Sequence, residues 1–303
     1  MEPTMAKTIA SAHISGKSLL PAAISGWEMF MRDQGRSPNT IKAFLSDVRL
    51  LTHFLPPDQS IAAIATDDLN RFFNWMEKER GVPCSPKTLS RRITSVKSFF
   101  RWLRQYGVLP IDPAEKVAQR SAISPLPQVL SEEEYEAVLL AADRQRRKEK
   151  PDARPFTLLY LLLTTGIKKS ECLGVHINHI DLNAKSGPFV FIRYASPANR
   201  YKERKIELQE DWTAAYQEYL TQYKPADQVF PWSPRRLEYL LEDIGTEAGL
   251  SKHLSFDMCR WTCALRDYQS GVEADAIRQK LGVSKIQWRE LFIKIRQLNG
   301  EIK

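Results

Sequence analysis

Residues 85–104 read SPKTLSRRITSVKSFFRWLR, and the fold is decided by how these positions divide. Ser85 offers a hydroxyl N-cap and Pro86 falls at the first helical position, where a missing N–H costs nothing. Leu89, Ile93, Val96, Phe99, Phe100 and Leu103 then recur at helical spacing, which predicts one buried face. The other face carries Lys87, Arg91, Arg92, Lys97, Arg101 and Arg104. A basic helix face is ordinarily just a solvated one, so its meaning depends on the rest of the chain. Arg91 and Arg92 avoid the Leu89, Ile93, Val96 stripe, and replacing both is expected to leave folding intact. Phe99, Phe100 and Trp102 read as core rather than as a base-stacking platform.

The same grammar extends outward. Ser37-Pro38 opens a helix with Ile41, Phe44, Leu45, Val48, Leu51 and Leu55 on one side, and Thr66 caps another with Leu69, Phe72, Phe73 and Met76. Residues 20–106 thus form four helices, and from 22 to 106 there are 13 basic against 8 acidic side chains. Residues 1–19 lack a signal-peptide core and an arginine-rich transit pattern and read as a loose, flexible tail. Pro110, Pro113, Pro125 and Pro127 make 107–130 an extended linker. A second domain, 131–303, opens on Ser131-Glu132-Glu133-Glu134, a capping box. A helical stripe at Leu158, Leu159, Leu162 and Leu163 follows, then two strands, 189–193 and 205–208, around a polar turn. Helices resume over 214–223, 237–248, 257–270 and 274–281, with a last one running through Leu298. The fold class is mostly α with a small β-hairpin or sheet (α+β).

The whole chain agrees with two domains: 303 residues, 43% hydrophobic and 26% charged. Lys and Arg total 44 against 36 Asp and Glu, and the resulting +8 points toward a polyanionic partner. Four cysteines without metal or disulfide spacing favour a reducing cytoplasm. Cys259 and Cys263 read as buried thiols. No apolar run approaches the roughly 18 residues of a membrane span. His176 and His179 lack a third ligand, and neither a Gly-rich phosphate loop nor a Gly-x-Ser-x-Gly is present, so no metal or cofactor is expected.

Five stretches, in order and with normal spacing, resemble the tyrosine recombinase or phage integrase family. They are Ser37-Pro38-Asn39-Thr40, the helix from Ser85 to Arg104, Pro127 to Glu134, Thr165-Gly166-Ile167-Lys168-Lys169-Ser170-Glu171, and Leu281-Gly282. The resemblance implies a helical core-binding domain and a catalytic domain that clamp duplex DNA. It also implies a chemistry in which a tyrosine oxygen attacks a DNA phosphate. Two arginines hold the non-bridging oxygens, a hairpin lysine protonates the leaving oxygen, and two histidines assist.

Carried over one position at a time, that machinery is nearly gone. The first arginine falls on Lys168, which keeps the charge but loses the bidentate fork. The hairpin lysine, three residues before Lys202-Glu203-Arg204, falls on Asn199, which has no proton to give. His-x-x-Arg falls on Asp257-Met258-Cys259-Arg260, so only Arg260 is retained. Asp257 either repels a phosphate or simply caps the helix that follows. The Leu-Gly-His stretch becomes Leu281-Gly282-Val283, and nine residues on, the nucleophile position holds Phe292. The last tyrosine of the chain is Tyr268, inside the helix that Arg260 begins, where packing or a backbone contact is its expected role.

Three functions compete. One is a DNA-binding protein derived from a recombinase, without strand cleavage, serving as a regulator, architectural or accessory factor. The others are an active recombinase with an unorthodox site and a protein-interaction scaffold without DNA binding. The first is preferred because positive charge persists while the phosphate chemistry has vanished. Its expected partner is double-stranded DNA, held by Lys87, Arg91, Arg92 and Lys97 in one domain and by Lys168, Lys202, Arg204 and Arg260 in the other. A homo-oligomer through the C-terminal stripe Leu291, Ile295 and Leu298 is a further expectation, although that stripe could equally close its own core. An active recombinase is another possible partner. The expected location is cytoplasmic and nucleoid-associated.

Overall fold

The structure, a computed structural model, describes residues 14–82, 84–120 and 125–302. The chain divides into two compact units, Met1–Pro125 and Leu126–Lys303.

In the first unit α1 (Leu20–Asp33), α2 (Pro38–Phe54), α3 (Thr66–Lys78) and α4 (Pro86–Gln105) enclose one core. Ser37 and Ser85 cap as the sequence predicts, their hydroxyls accepting from the amides of Thr40 and Thr88 at 3.2 Å. Helix α3 starts differently. Asp68 reaches back to accept from the Ala65 amide at 2.9 Å, and the Thr66 hydroxyl donates instead to the Pro113 carbonyl at 2.7 Å. Trp27, Leu51, Ile61, Leu69, Phe72, Met76, Phe99 and Phe100 fill the interior.

Two expectations about the ends of this unit need correction. Residues 14–19 of the supposed tail are held in place: Leu19 pairs with Ser60, and the carbonyls of Gly16 and Ser18 accept from Ala62 and Ile61 at 2.9 Å. The rest of that tail, 1–13, lies outside the described residues. The supposed linker is partly core, because Val108, Leu109, Ala114 and Val117 are buried against the four helices. Prolines forbid a helix there, but they do not forbid burial.

The second unit is organised around α6 (Arg154–Thr165), whose Leu158, Leu159, Leu161 and Leu162 are fully buried. A helix apolar on all sides needs neighbours all round. It packs against α5 (Glu132–Arg146), α8 (Glu210–Tyr223), α9 (Pro234–Glu247) and α10 (Phe256–Gln269). The Ser131–Glu134 capping box starts α5, with Ser131 N donating to Glu134 at 2.7 Å. Short α7 (Lys169–Leu173) leads to an antiparallel sheet of β1 (Ile180–Asp181), β2 (Phe189–Ile192) and β3 (Arg204–Glu207), in that order. Strand β1 is an addition to the expected hairpin; its two residues, set opposite Val190 and Phe189, are too few to show alternation.

Helices α11 (Ala274–Lys280) and α12 (Lys285–Leu298) close a smaller core against α10. Ile295 is fully buried there, with Leu291 and Leu298 packed beside it. The C-terminal stripe therefore serves its own chain, the second of its two expected roles. Among the described residues no helix is long and apolar enough to cross a membrane.

Candidate functional site

In the second unit, three of the positions that the resemblance implies, Lys168, Asp257 and Arg260, line one cleft. Helix α6 ends at Gly166, whose left-handed φ of 59° turns the chain so that Lys168 stands just before α7. Glu171, three residues on, is buried and accepts from the Lys168 amide at 2.8 Å. Arg204 enters from β3 and forks onto Glu171, with Nη1 and Nη2 at 3.1 and 3.0 Å from its two oxygens. The Tyr194 hydroxyl donates to the same carboxylate. Burial raises the Glu171 pKa, but the Arg204 fork and the other donors outweigh it and hold the carboxyl below its usual value. Burial, then the donation to Glu171, pushes the Tyr194 phenol up to about 12.

Two of the cations expected at a phosphate, Arg204 and Arg260, are engaged by other groups of the fold. Arg204 also donates from Nε to the Lys280 carbonyl at 2.6 Å and from Nη1 to the Lys202 carbonyl at 3.1 Å. Arg260 is buried, with Nη2 donating to the Leu281 carbonyl at 2.8 Å and Nη1 to the Gly166 carbonyl. Burial lowers its pKa, opposed first by the charge of Glu171. Both guanidiniums thus tie segments of the fold together. Lys168 is the more available group, 35% exposed and 3.9 Å from Glu171, with burial lowering its pKa. Its neighbour Lys169 turns away to Glu238 on α9, at 2.6 Å.

Asn199, Val283 and Phe292 do not line the cleft shared by Lys168, Asp257 and Arg260. Asn199 lies in a 3-10 turn at the hairpin tip and accepts from Lys202 Nζ at 2.9 Å. Asp257 does not cap α10, since the Ser255 hydroxyl does so by accepting from the Met258 amide at 3.2 Å. It stands exposed in the first helical turn, where the helix dipole favours a carboxylate. It lines a cleft of about 850 Å³ together with Lys168, Arg260, Glu238 and Glu242. Val283 is buried in the small C-terminal core. Phe292 on α12 packs between Trp288 and Tyr268, at ring separations of 5.3 and 5.6 Å. Tyr268 packs, as expected, against the C-terminal core through its ring, edge-to-face with Phe292, while its oxygen makes no backbone contact. Its hydroxyl donates to Glu301 at 3.0 Å, and that bond raises its pKa, against the formation of a nucleophilic phenolate.

The motif from Thr165 to Glu171 includes Glu171 without marking its role, and no motif includes Tyr194. The Lys168–Glu171 spacing of a helix N-terminus was the available signal for the first; nothing marked the second. His176 binds Asp227 at 2.7 Å, and the described residues hold no cluster of three or more metal-ligating side chains. Cys172, Cys259 and Cys263 are buried, and burial raises their thiol pKa values.

In the first unit the basic face of α4 proves to be sorted by partners. Asp47 of α2 is buried at 2% exposure and accepts from the Ser95 hydroxyl at 2.7 Å and from Arg91. Arg92 turns inward, with Nε 3.7 Å from Asp47 and Nη1 3.1 Å from the Cys84 sulfur. Burial raises the Asp47 pKa, with Ser95 and then the two arginines opposing it. Lys97 donates to the Val117 carbonyl at 2.5 Å. Lys87 is exposed. The expectation that Arg91 and Arg92 stand clear of the fold is therefore wrong: avoiding the apolar stripe did not keep them from a buried carboxylate.

A four-helix unit followed by a mostly helical unit with a three-stranded sheet resembles the architecture of the tyrosine recombinases. Residues 24–107 match the phage integrase N-terminal SAM-like domain, and residues 128–292 match the phage integrase family domain. The protein belongs to the phage integrase family. It is 24% identical over 280 residues to tyrosine recombinase XerD of Listeria innocua, covering 88% of this chain and 91% of the relative. It is 25% identical over 278 residues to tyrosine recombinase XerC of a Mycobacterium species (strain JLS), covering 87% and 90%. In fold it resembles the XerH site-specific recombinase bound to a palindromic difH substrate, with a TM-score of 0.71 at 17% identity over 94% of this chain and 81% of that one. It also resembles a lambda integrase dimer bound to a COC′ core site, with a TM-score of 0.70 at 14% identity over 96% and 80%.

Proposed function

We propose that this protein binds duplex DNA and does not cleave it, acting as a regulator, architectural or accessory factor. The observation that carries the reading is Phe292: the family's attacking oxygen is replaced by a ring that packs between Trp288 and Tyr268. Asn199 and Val283 agree with it, since neither can protonate a leaving oxygen, and Asp257 puts a carboxyl where the family has an imidazole. Lys168 retains charge without the fork, and Arg204 and Arg260 are engaged with their own fold. The likeness to recombinases solved as a dimer on DNA and as a tetramer on a Holliday junction makes assembly with a second copy, or with an active recombinase, part of the proposal. The site of action is then the cytoplasm, on the nucleoid.

The test is incubation with supercoiled DNA and with nicked suicide duplexes carrying sequences recovered from its own genome-wide binding footprints. Duplex should be retained and released intact by denaturant. A phosphotyrosyl peptide would refute the loss of cleavage, and absence of duplex binding at low salt would favour a scaffold.

A further inference from the structure

The first unit holds a cavity of about 340 Å³ between α1, α2 and the C-terminal half of α4, in the size range of small-ligand sites. Its apolar side includes Phe30 and Phe44, both only partly buried. Its polar side includes Arg36, Arg101 and the hydroxyl of Ser98, and no carboxylate lines it. In this unit Arg32, Arg49, Arg71, Arg91, Arg104 and Arg120 each pair with an acidic side chain. Among the described residues Arg36 and Arg101 have no ion pair and no side-chain hydrogen bond. Two exposed, uncommitted guanidiniums lining one acid-free cavity have the chemistry that fork-type binding of an anion uses.

We propose that this cavity seats one sugar–phosphate unit of a DNA backbone, with Arg36 and Arg101 on the phosphate and the rings of Phe30 and Phe44 under the deoxyribose. The assignment rests on the duplex binding proposed above and adds a subsite that the basic pattern of α4 did not single out. Arg91 and Arg101 are ten residues apart, about 15 Å along the helix, so contacts at the two ends of α4 meet different phosphates.

The experiment compares the full chain with Arg36→Ala, Arg101→Ala, the double variant, and Lys87→Ala, titrating specific and random-sequence duplex over a range of salt. Neither arginine supports the fold, so circular dichroism and melting should match the parent. Either substitution should lower the slope of log affinity against log salt by up to about 0.9, equally on both duplexes. The double variant should lose little more than the worse single one, because both arginines serve one phosphate, whereas combination with Lys87→Ala should be additive. An unchanged slope and affinity in the double variant, with the parent still binding duplex, overturns the subsite. If the parent binds no duplex, the function above fails, and the cavity is read by NMR of the arginine side chains during titration with inorganic phosphate. Shifts confined to Arg36 and Arg101 would support an anion site, and their absence would overturn it.

Discussion

Replacing Arg91 and Arg92 together by alanine should destabilise the first unit, although both residues lie on the polar face of α4. The change strips both cations from Asp47, which is 2% exposed and keeps only the Ser95 hydroxyl, at 2.7 Å. Removing the partners of a buried charge costs about 3–5 kcal/mol. The Arg91 side chain is 41% exposed, so solvent already screens part of its attraction, and a loss of about 2–4 kcal/mol is the appropriate expectation. For a unit near 100 residues each kcal/mol moves the melting temperature by roughly 4–8 °C, so the midpoint should fall by about 10 °C or more. The deficit carries a pH signature. Burial already raises the folded-state pKa of Asp47, and the arginines are among the groups that oppose the rise, so removing them raises it further. A raised carboxyl destabilises the fold while it is charged and is relieved by protonation, so the deficit should be largest at neutral pH. It should shrink as pH falls through the raised pKa. Urea unfolding of the full chain at several pH values, with hydrogen exchange at α2 and α4 to isolate this unit, measures both quantities. Adding Asp47→Asn to the double variant should recover part of the loss at neutral pH. A midpoint equal to the parent's, or a deficit independent of pH, would refute the reasoning.

Phe292→Tyr alone should yield no covalent DNA adduct on denaturing gels, because groups that act as a unit are strongly non-additive and the acid, the second fork and the histidines are still missing. Glu171→Gln should cost about 2–3 kcal/mol in chemical denaturation, since it leaves the Arg204 guanidinium, 9% exposed, without its countercharge. Gly282→Ala should be costly for two reasons: φ is 59°, and the new methyl would lie 2.7 Å from Arg204 Cζ. A loss larger than that of Gly187→Ala is expected in the same assay, because Gly187, at φ 96°, would carry the backbone strain of about 1–2 kcal/mol but has open space around the new methyl.

What was legible in the sequence is local, and what was not is long-range. Ser37-Pro38, Ser85-Pro86 and Ser131 to Glu134 announce their helices because a cap and its amide lie within three residues. The proposed losses at Phe292 and Asn199 rest on the resemblance alone, since a missing oxygen or ammonium is read from residue identity. The pairing of charges is another matter. Asp47 meets Arg91 across 44 residues and Glu171 meets Arg204 across 33, and no pattern along the chain marks either union. A count of basic residues on a helix face therefore overstates the charge available to a polyanion, because it includes side chains already engaged inside the fold. On α4 the correction removes Arg92, commits part of Arg91 and ties down Lys97, but leaves Lys87 and Arg101 uncommitted at opposite ends. The electrostatic footprint proposed for this unit is thus strongest at the two ends of α4 rather than even along it. A duplex bound to this unit should accordingly show its salt dependence concentrated in Lys87 and the Arg36–Arg101 pair.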